Sequence, residues 1–172
     1  MTPFEAVFSW VEDTPLSMWV RGESMLAFPT ILSAHTLGMA FLAGTSAGMD
    51  LRLLGLANRV PLRELEKFYP VLWLALALSF VSGTLLLIGY PYKAFTNPVF
   101  YVKLALIAVA VYLIVRIRKE ILLQPNPDAP EMYRRGRLLG MISLACWAGV
   151  IFAGRLLAYT YSYLLVGMPN NF

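Results

Sequence analysis

Histidine and cysteine are almost absent from this sequence. Of 172 residues one is histidine, His35, and one is cysteine, Cys146. A lone cysteine excludes an internal disulfide and any zinc site built from several cysteines. A lone histidine excludes two-histidine ligation of a group within one chain. It also leaves a single base for a serine or cysteine triad, of which no motif is present. There is no Walker loop and no glycine-rich dinucleotide fingerprint. The opening MTPFEAVFSWVEDTP lacks the basic start and continuous apolar run of a cleavable signal peptide, so the first membrane helix is expected to direct its own insertion. Charge is scarce as well. Asp, Glu, Lys and Arg make up 14% of the chain, where soluble domains carry about 25%.

What fills the chain instead is apolar. Hydrophobic residues account for 59% and mean hydropathy is +0.65. The run from Met25 to Met49 holds no formal charge and is long enough to cross a bilayer as a helix, which takes about 20 residues. Similar runs at 71–90, 98–115 and 138–158 predict an all-α integral membrane four-helix bundle over residues 25–168. Residues 1–24 mix Glu5, Glu12, Asp13 and Glu23 with Phe4, Phe8, Trp10 and Trp19. That segment is too charged to span and reads as one or two short interfacial helices broken at Pro15, with Ser24 as cap for the first span. The connection 50–70 reads as polar and in part as an interfacial helix; PYKAFTNP between spans two and three reads as a plain turn.

Lys and Arg set the topology. Arg52, Arg59, Arg63 and Lys67 follow span one; Arg116, Arg118, Lys119, Arg134, Arg135 and Arg137 lie between spans three and four. Only Arg21, Lys93, Lys103 and Arg155 belong to the opposite side. The positive-inside rule therefore predicts both termini outside the cytoplasm, N-out and C-out, in a multi-pass inner-membrane protein. The net charge of +4 serves topology and no nucleic acid is expected as a partner.

This topology gathers three polar residues. His35 lies about 15 Å into span one, near the midplane; Lys103 and Arg155 fall in the outer third of spans three and four, by a rise of about 1.5 Å per residue. A b-type haem standing across the membrane would use such a layout, with imidazole on the iron and the two cations on the propionates. Blander roles stay open: Lys103 snorkelling to the surface, Arg155 anchoring at the interface beside Tyr159, Tyr161 and Tyr163, and His35 hydrogen-bonding between helices. With one histidine the haem would be five-coordinate, or take Met39, Met141 or a ligand from a second copy. Copper on His35, Cys146 and methionine is a weaker reading. Ala34-x-x-x-Gly38, Gly44-x-x-x-Gly48, Ser79-x-x-x-Gly83 and Ala145-x-x-x-Gly149 allow close helix approach. Asp50 is expected to meet a basic residue of the 116–137 loop.

At His35-Thr36-Leu37-Gly38, Gly44 and Asp50-Leu51-Arg52-Leu53-Leu54-Gly55, the sequence resembles an uncharacterised family of small bacterial four-helix membrane proteins, whose helix reads H-x-x-G…G…D-L-R-L-L-G. The likeness continues through Asn97 to Leu104 and Ala153-Gly154-Arg155. More distantly, the order of histidine helix, arginine at its end and lysine early in the third helix resembles the J-type protoporphyrinogen oxidase, which binds haem, and the copper-resistance D membrane domain. For the oxidase the matching positions are His35, Arg52 and Lys103; its aromatic-rich flanks and additional helix have no counterpart. The resemblance implies a bacterial inner-membrane protein and favours haem. The leading expectation is a b-type haem-binding membrane subunit in electron transfer or porphyrin-linked oxidation. The alternatives are a non-catalytic subunit of a homodimer or larger membrane complex, and copper or small-solute transport.

Overall fold

The computed structural model describes residues 3–23, 26–56 and 58–164, and every regular element in them is helical. Four helices are long and apolar enough to cross a membrane, which makes this a multi-pass membrane bundle. In chain order the elements are α1 (Pro3–Glu12), α2 (Pro15–Met18), α3 (Ala27–Leu53), α4 (Tyr69–Gly89), α5 (Pro91–Phe95), α6 (Pro98–Ile117) and α7 (Pro130–Leu164). A 3₁₀ turn over Leu62–Phe68 leads into α4, and a wide helical turn over Arg118–Leu122 extends α6.

Local chemistry explains the boundaries. Thr14 caps α2 by accepting from Ser17 N–H, with Pro15 at the first helical position. Asn97 caps α6 in the same way, its Oδ1 accepting from Val99 N–H at 3.0 Å, and Pro98 follows. Gly55, at φ 95°, reverses the chain just after α3, a conformation that side chains with a Cβ rarely adopt.

The spans are longer than their apolar runs indicate. α3 runs on to Leu53, so Asp50 and Arg52 sit within its last turn. α7 begins at Pro130, so Arg134, Arg135 and Arg137 are helical. The 91–97 connection is not a plain turn, because Pro91 starts the five-residue α5. Ser24 lies outside the described residues, as does the end of the 25–168 domain beyond Leu164.

α3 packs on α4 and α7, and α6 packs on α7, giving the spatial order α4–α3–α7–α6. All ten Lys and Arg of the two long connections gather at one end, here the basic end. The core gathers there as well. It is made of Leu42, Ala43, Met49 and Leu53 of α3, Tyr69, Leu72 and Ala75 of α4, Leu113, Ile114 and Ile117 of α6, and Leu139, Trp147 and Val150 of α7. The outer pair, α4 and α6, is tied at this end. Tyr69 donates to the Ile114 carbonyl at 2.9 Å, and Arg118 stacks 5.0 Å from the Tyr69 ring while pairing with Glu66 at 3.0 Å.

At the distal end the N-terminal segment acts as a cover. Phe8 stacks on Phe95 and meets Tyr92 edge-on. Ser17 donates to the Ile88 carbonyl, and Val20 fills the space over Gly89, where a Cβ would come within 2.8 Å. Arg21 reaches back to the Glu12 carbonyl. Asn97 also donates to Thr160 Oγ1 at 2.8 Å, tying α6 to α7.

Candidate functional site

The closest backbone approach in the distal half is between α3 and α4. A Cβ on Gly38 would lie 2.6 Å from Ser79 Oγ, 3.1 Å from Ser79 N and 3.2 Å from the Ala75 carbonyl. Two of the small-residue patterns, Ala34/Gly38 and Ser79/Gly83, thus face each other. The approach seats His35. A Cβ on Gly83 would meet the imidazole Cε1 at 3.0 Å and Nδ1 at 3.4 Å, so glycine makes room for the ring.

The ring's hydrogen bonds decide its tautomer. Nδ1 lies 3.1 Å from the Ser79 carbonyl and 3.1 Å from Ser82 Oγ. The carbonyl can only accept. Ser82 spends its single hydroxyl proton on the Leu78 carbonyl at 2.6 Å, so toward His35 it accepts too. Nδ1 therefore carries the proton, and Nε2 carries a lone pair that no described group engages. A backbone carbonyl accepting from one ring nitrogen is the arrangement that orients metal-ligating histidines through the other.

Lys103, half-buried on α6, lies within electrostatic range of His35. Its Cε and Nζ pass over Gly154 of α7, each 3.9 Å from where a Cβ would be. Arg155, the third residue of the expected set, is exposed, with its guanidinium 5.6 Å from the Tyr159 ring centroid. The fold thus brings His35 and Lys103 into one region and leaves Arg155 at its rim. Tyr161 and Tyr163 have no described side chains. Met39, one turn beyond His35 on α3, packs against the core, and Met141 is exposed. Cys146 is buried at the α3–α7 contact, within electrostatic range of Asp50. No group of three or more His, Cys, Asp or Glu able to hold a metal ion occurs among the described residues.

A second polar layer lies toward the basic end, and it corrects the expected partner of Asp50. Asp50, 1% exposed, meets no basic residue; its carboxylate faces Ser143 of α7. Neither Asp50 Oδ2 nor Ser143 Oγ completes a well-formed hydrogen bond, and Trp147 Nε1 is likewise buried without an acceptor. The residue tied to the third connection is Arg52, 2% exposed, and its partner there is an acid: Nη2 lies 3.3 Å from Asp128 Oδ1 and 3.5 Å from Tyr133 Oη. Its Nε donates to the Val60 carbonyl at 2.5 Å. The i,i+2 spacing puts Asp50 and Arg52 on different sides of α3, and α7 fills the side that Asp50 faces: a Cβ on Gly140 would lie 3.2 Å from the Asp50 carbonyl.

Ser82, Ser143, Trp147 and Asp128 carry these interactions and were not singled out by residue type. The only sequence signal of the first three was polarity or bulk within apolar helices, and that of Asp128 was an acid in a basic connection. Compared with family models, curated proteins and solved structures, the chain has no match.

Proposed function

We propose that the protein is a b-type haem-binding membrane subunit acting in electron transfer or porphyrin-linked oxidation in the bacterial inner membrane, N-out and C-out. The observation that carries this reading is the fixed tautomer of His35, held by Ser79 and Ser82 so that Nε2 is the free ring nitrogen. Gly83 keeps the ring uncrowded, and Lys103 supplies a nearby cation for a propionate, with Arg155 at the rim as a second. The packing order leaves α4 and α6 as outer helices tied at the basic end, and among the described residues the apolar cluster lies in the basic half. That asymmetry suits a flat ligand entering between the distal helices. When bound, haem supplies a reversible one-electron iron couple, whose potential the protein sets through the ligand and its surroundings.

The test is an oxidised and dithionite-reduced absorption spectrum of the detergent-purified protein from haem-replete cells, beside His35→Ala. A Soret band and reduced α-band, absent from a His35→Ala protein of unchanged helical content, is the expected outcome. A colourless wild-type protein overturns the reading.

A second reading, a non-catalytic subunit of a homodimer or larger complex, draws on the outer face of α3. Gly44 and Gly48 are exposed there, and a Cβ at either would meet nothing within 4 Å. Copper has less support, since Cys146 lies in the Asp50 layer of the basic half rather than beside His35.

A further inference from the structure

Two shallow concavities open at the basic end beside the C-terminus of α3. One, of about 410 Å³, is lined by Leu56, Asn58, Arg59 and Val60. The other, of about 590 Å³, is lined by Leu54, Gly55, Asn58, Tyr133 and Arg137. Asn58 lines both, so the two form one groove with Arg59 on one side and Arg137 on the other. The turn at Gly55 shapes its floor. At φ 95° that position disfavours any other residue, and a Cβ there would lie 3.5 Å from Asn58 Oδ1.

The charge around the groove is uncompensated. At this end Arg52 pairs with Asp128, Lys67 with Glu64, Arg118 with Glu66, and Arg116 and Arg135 with Glu120. Arg59 and Arg137 have no carboxylate partner among the described residues. Arg52, though paired with Asp128, keeps one donor unmet. It is held between Val60 and Tyr133, both of which line the groove, and its Nη1 is buried without an acceptor. The groove is therefore a positive concavity with donors on its walls: two guanidinium groups and an amide, beside the Tyr133 phenol, whose proton goes to Asp128.

Its rim is apolar. Leu56 is 74% exposed and Val60 is 41% exposed, immediately after a helix long enough to cross the bilayer. Cations beside exposed apolar side chains at the membrane boundary match an amphiphile better than a free inorganic anion. Basic pockets between transmembrane helices on the cytoplasmic side are suited to acidic headgroups. We propose that this groove binds the headgroup of an anionic phospholipid, its phosphate between Arg59 and Arg137 and its acyl chains against Leu56 and Val60.

The test uses the full chain in neutral detergent, with phosphatidylglycerol binding followed by native mass spectrometry and by the unfolding midpoint. Phosphatidylcholine and inorganic phosphate serve as the comparison probes. Phosphatidylglycerol is expected to bind one per chain and to raise the midpoint, with phosphatidylcholine and phosphate doing neither. The double variant Arg59→Gln/Arg137→Gln is expected to weaken binding about thirtyfold, from roughly 1 kcal/mol per basic residue. Arg63→Gln/Lys119→Gln removes the same charge from exposed positions outside the groove and is expected to weaken binding by about threefold or less. All four side chains are exposed, so both proteins should fold, and the single variant Arg137→Gln gives an intermediate loss as a check. Equal losses in the two double variants would show diffuse surface charge and overturn the site. Equal binding of phosphatidylcholine, or stabilisation by inorganic phosphate matching that by lipid, overturns the assigned ligand.

Discussion

The basic half and the distal half of this bundle are built on different principles. In the basic half, core residues of all four spans converge, and long-range ion pairs link connections distant in sequence, Arg52 to Asp128 and Arg118 to Glu66. Even the unsatisfied polar atoms of Asp50, Ser143 and Trp147 are sealed there. In the distal half the helices are joined by a few specific contacts: Gly38 against Ser79, His35 on Ser79 and Ser82, and Asn97 on Thr160. His35 and Lys103, within the spans there, are only half-buried. Within a bilayer, association rests on packing and interhelical hydrogen bonds, because lipid is as apolar as the helix surface. The tightly packed half therefore supplies most of the buried apolar contact, and the distal half rests on a few specific ones.

This division can be broken by mutation. Trp147→Ala empties the centre of the basic half, where the indole is 1% exposed, and should cost about 3 kcal/mol in detergent unfolding. A loss below about 1 kcal/mol would mean that the core there is not what holds the bundle. Gly38→Ala pushes a methyl into Ser79 and the α4 backbone, and overpacking of this kind costs about 2 kcal/mol. Gly44→Ala, with open space around it, should leave unfolding unchanged or slightly stabilised. If both alanine variants behave alike, α3 does not present the face described. Asp128→Asn removes one arm of the Arg52 clamp, and because Asp128 is partly exposed the expected loss is about 1 kcal/mol. Among the destabilising changes His35→Ala should cost least, about 0.6 kcal/mol for an interhelical hydrogen bond in a membrane. Its effect on cofactor absorbance should nevertheless be complete. A large stability loss without any change in absorbance would turn His35 into a packing residue and erase the contrast between the halves.

How far the sequence reaches is visible in particular residues. The four spans, the helical break before Pro15 and the clustering of Lys and Arg at one end could be read directly. Each depends on run length or charge order, which are properties along the chain. The helix limits came out short for α3 and α7, because charged residues in a terminal turn remain helical while facing the interface. The short α5 was missed because a five-residue helix that opens at Pro91 looks the same as a turn.

Rotation about the helix axes could not be read. α3 and α4 are apolar on nearly all sides, so no periodicity marks the buried face. The sequence therefore offered Gly38 and Gly44 as equivalent close-packing positions, and offered Asp50 rather than Arg52 as the partner of the third connection. Tertiary packing decided both. It turned Gly38 onto Ser79 and left Gly44 facing outward; it sealed Asp50 against Ser143 and sent Arg52 to Asp128. Residue type and spacing determined which segments are long and apolar enough to cross a membrane. Only the register between helices determined which groups meet, because contact between two apolar helices is fixed by side-chain shape and hydrogen-bond geometry.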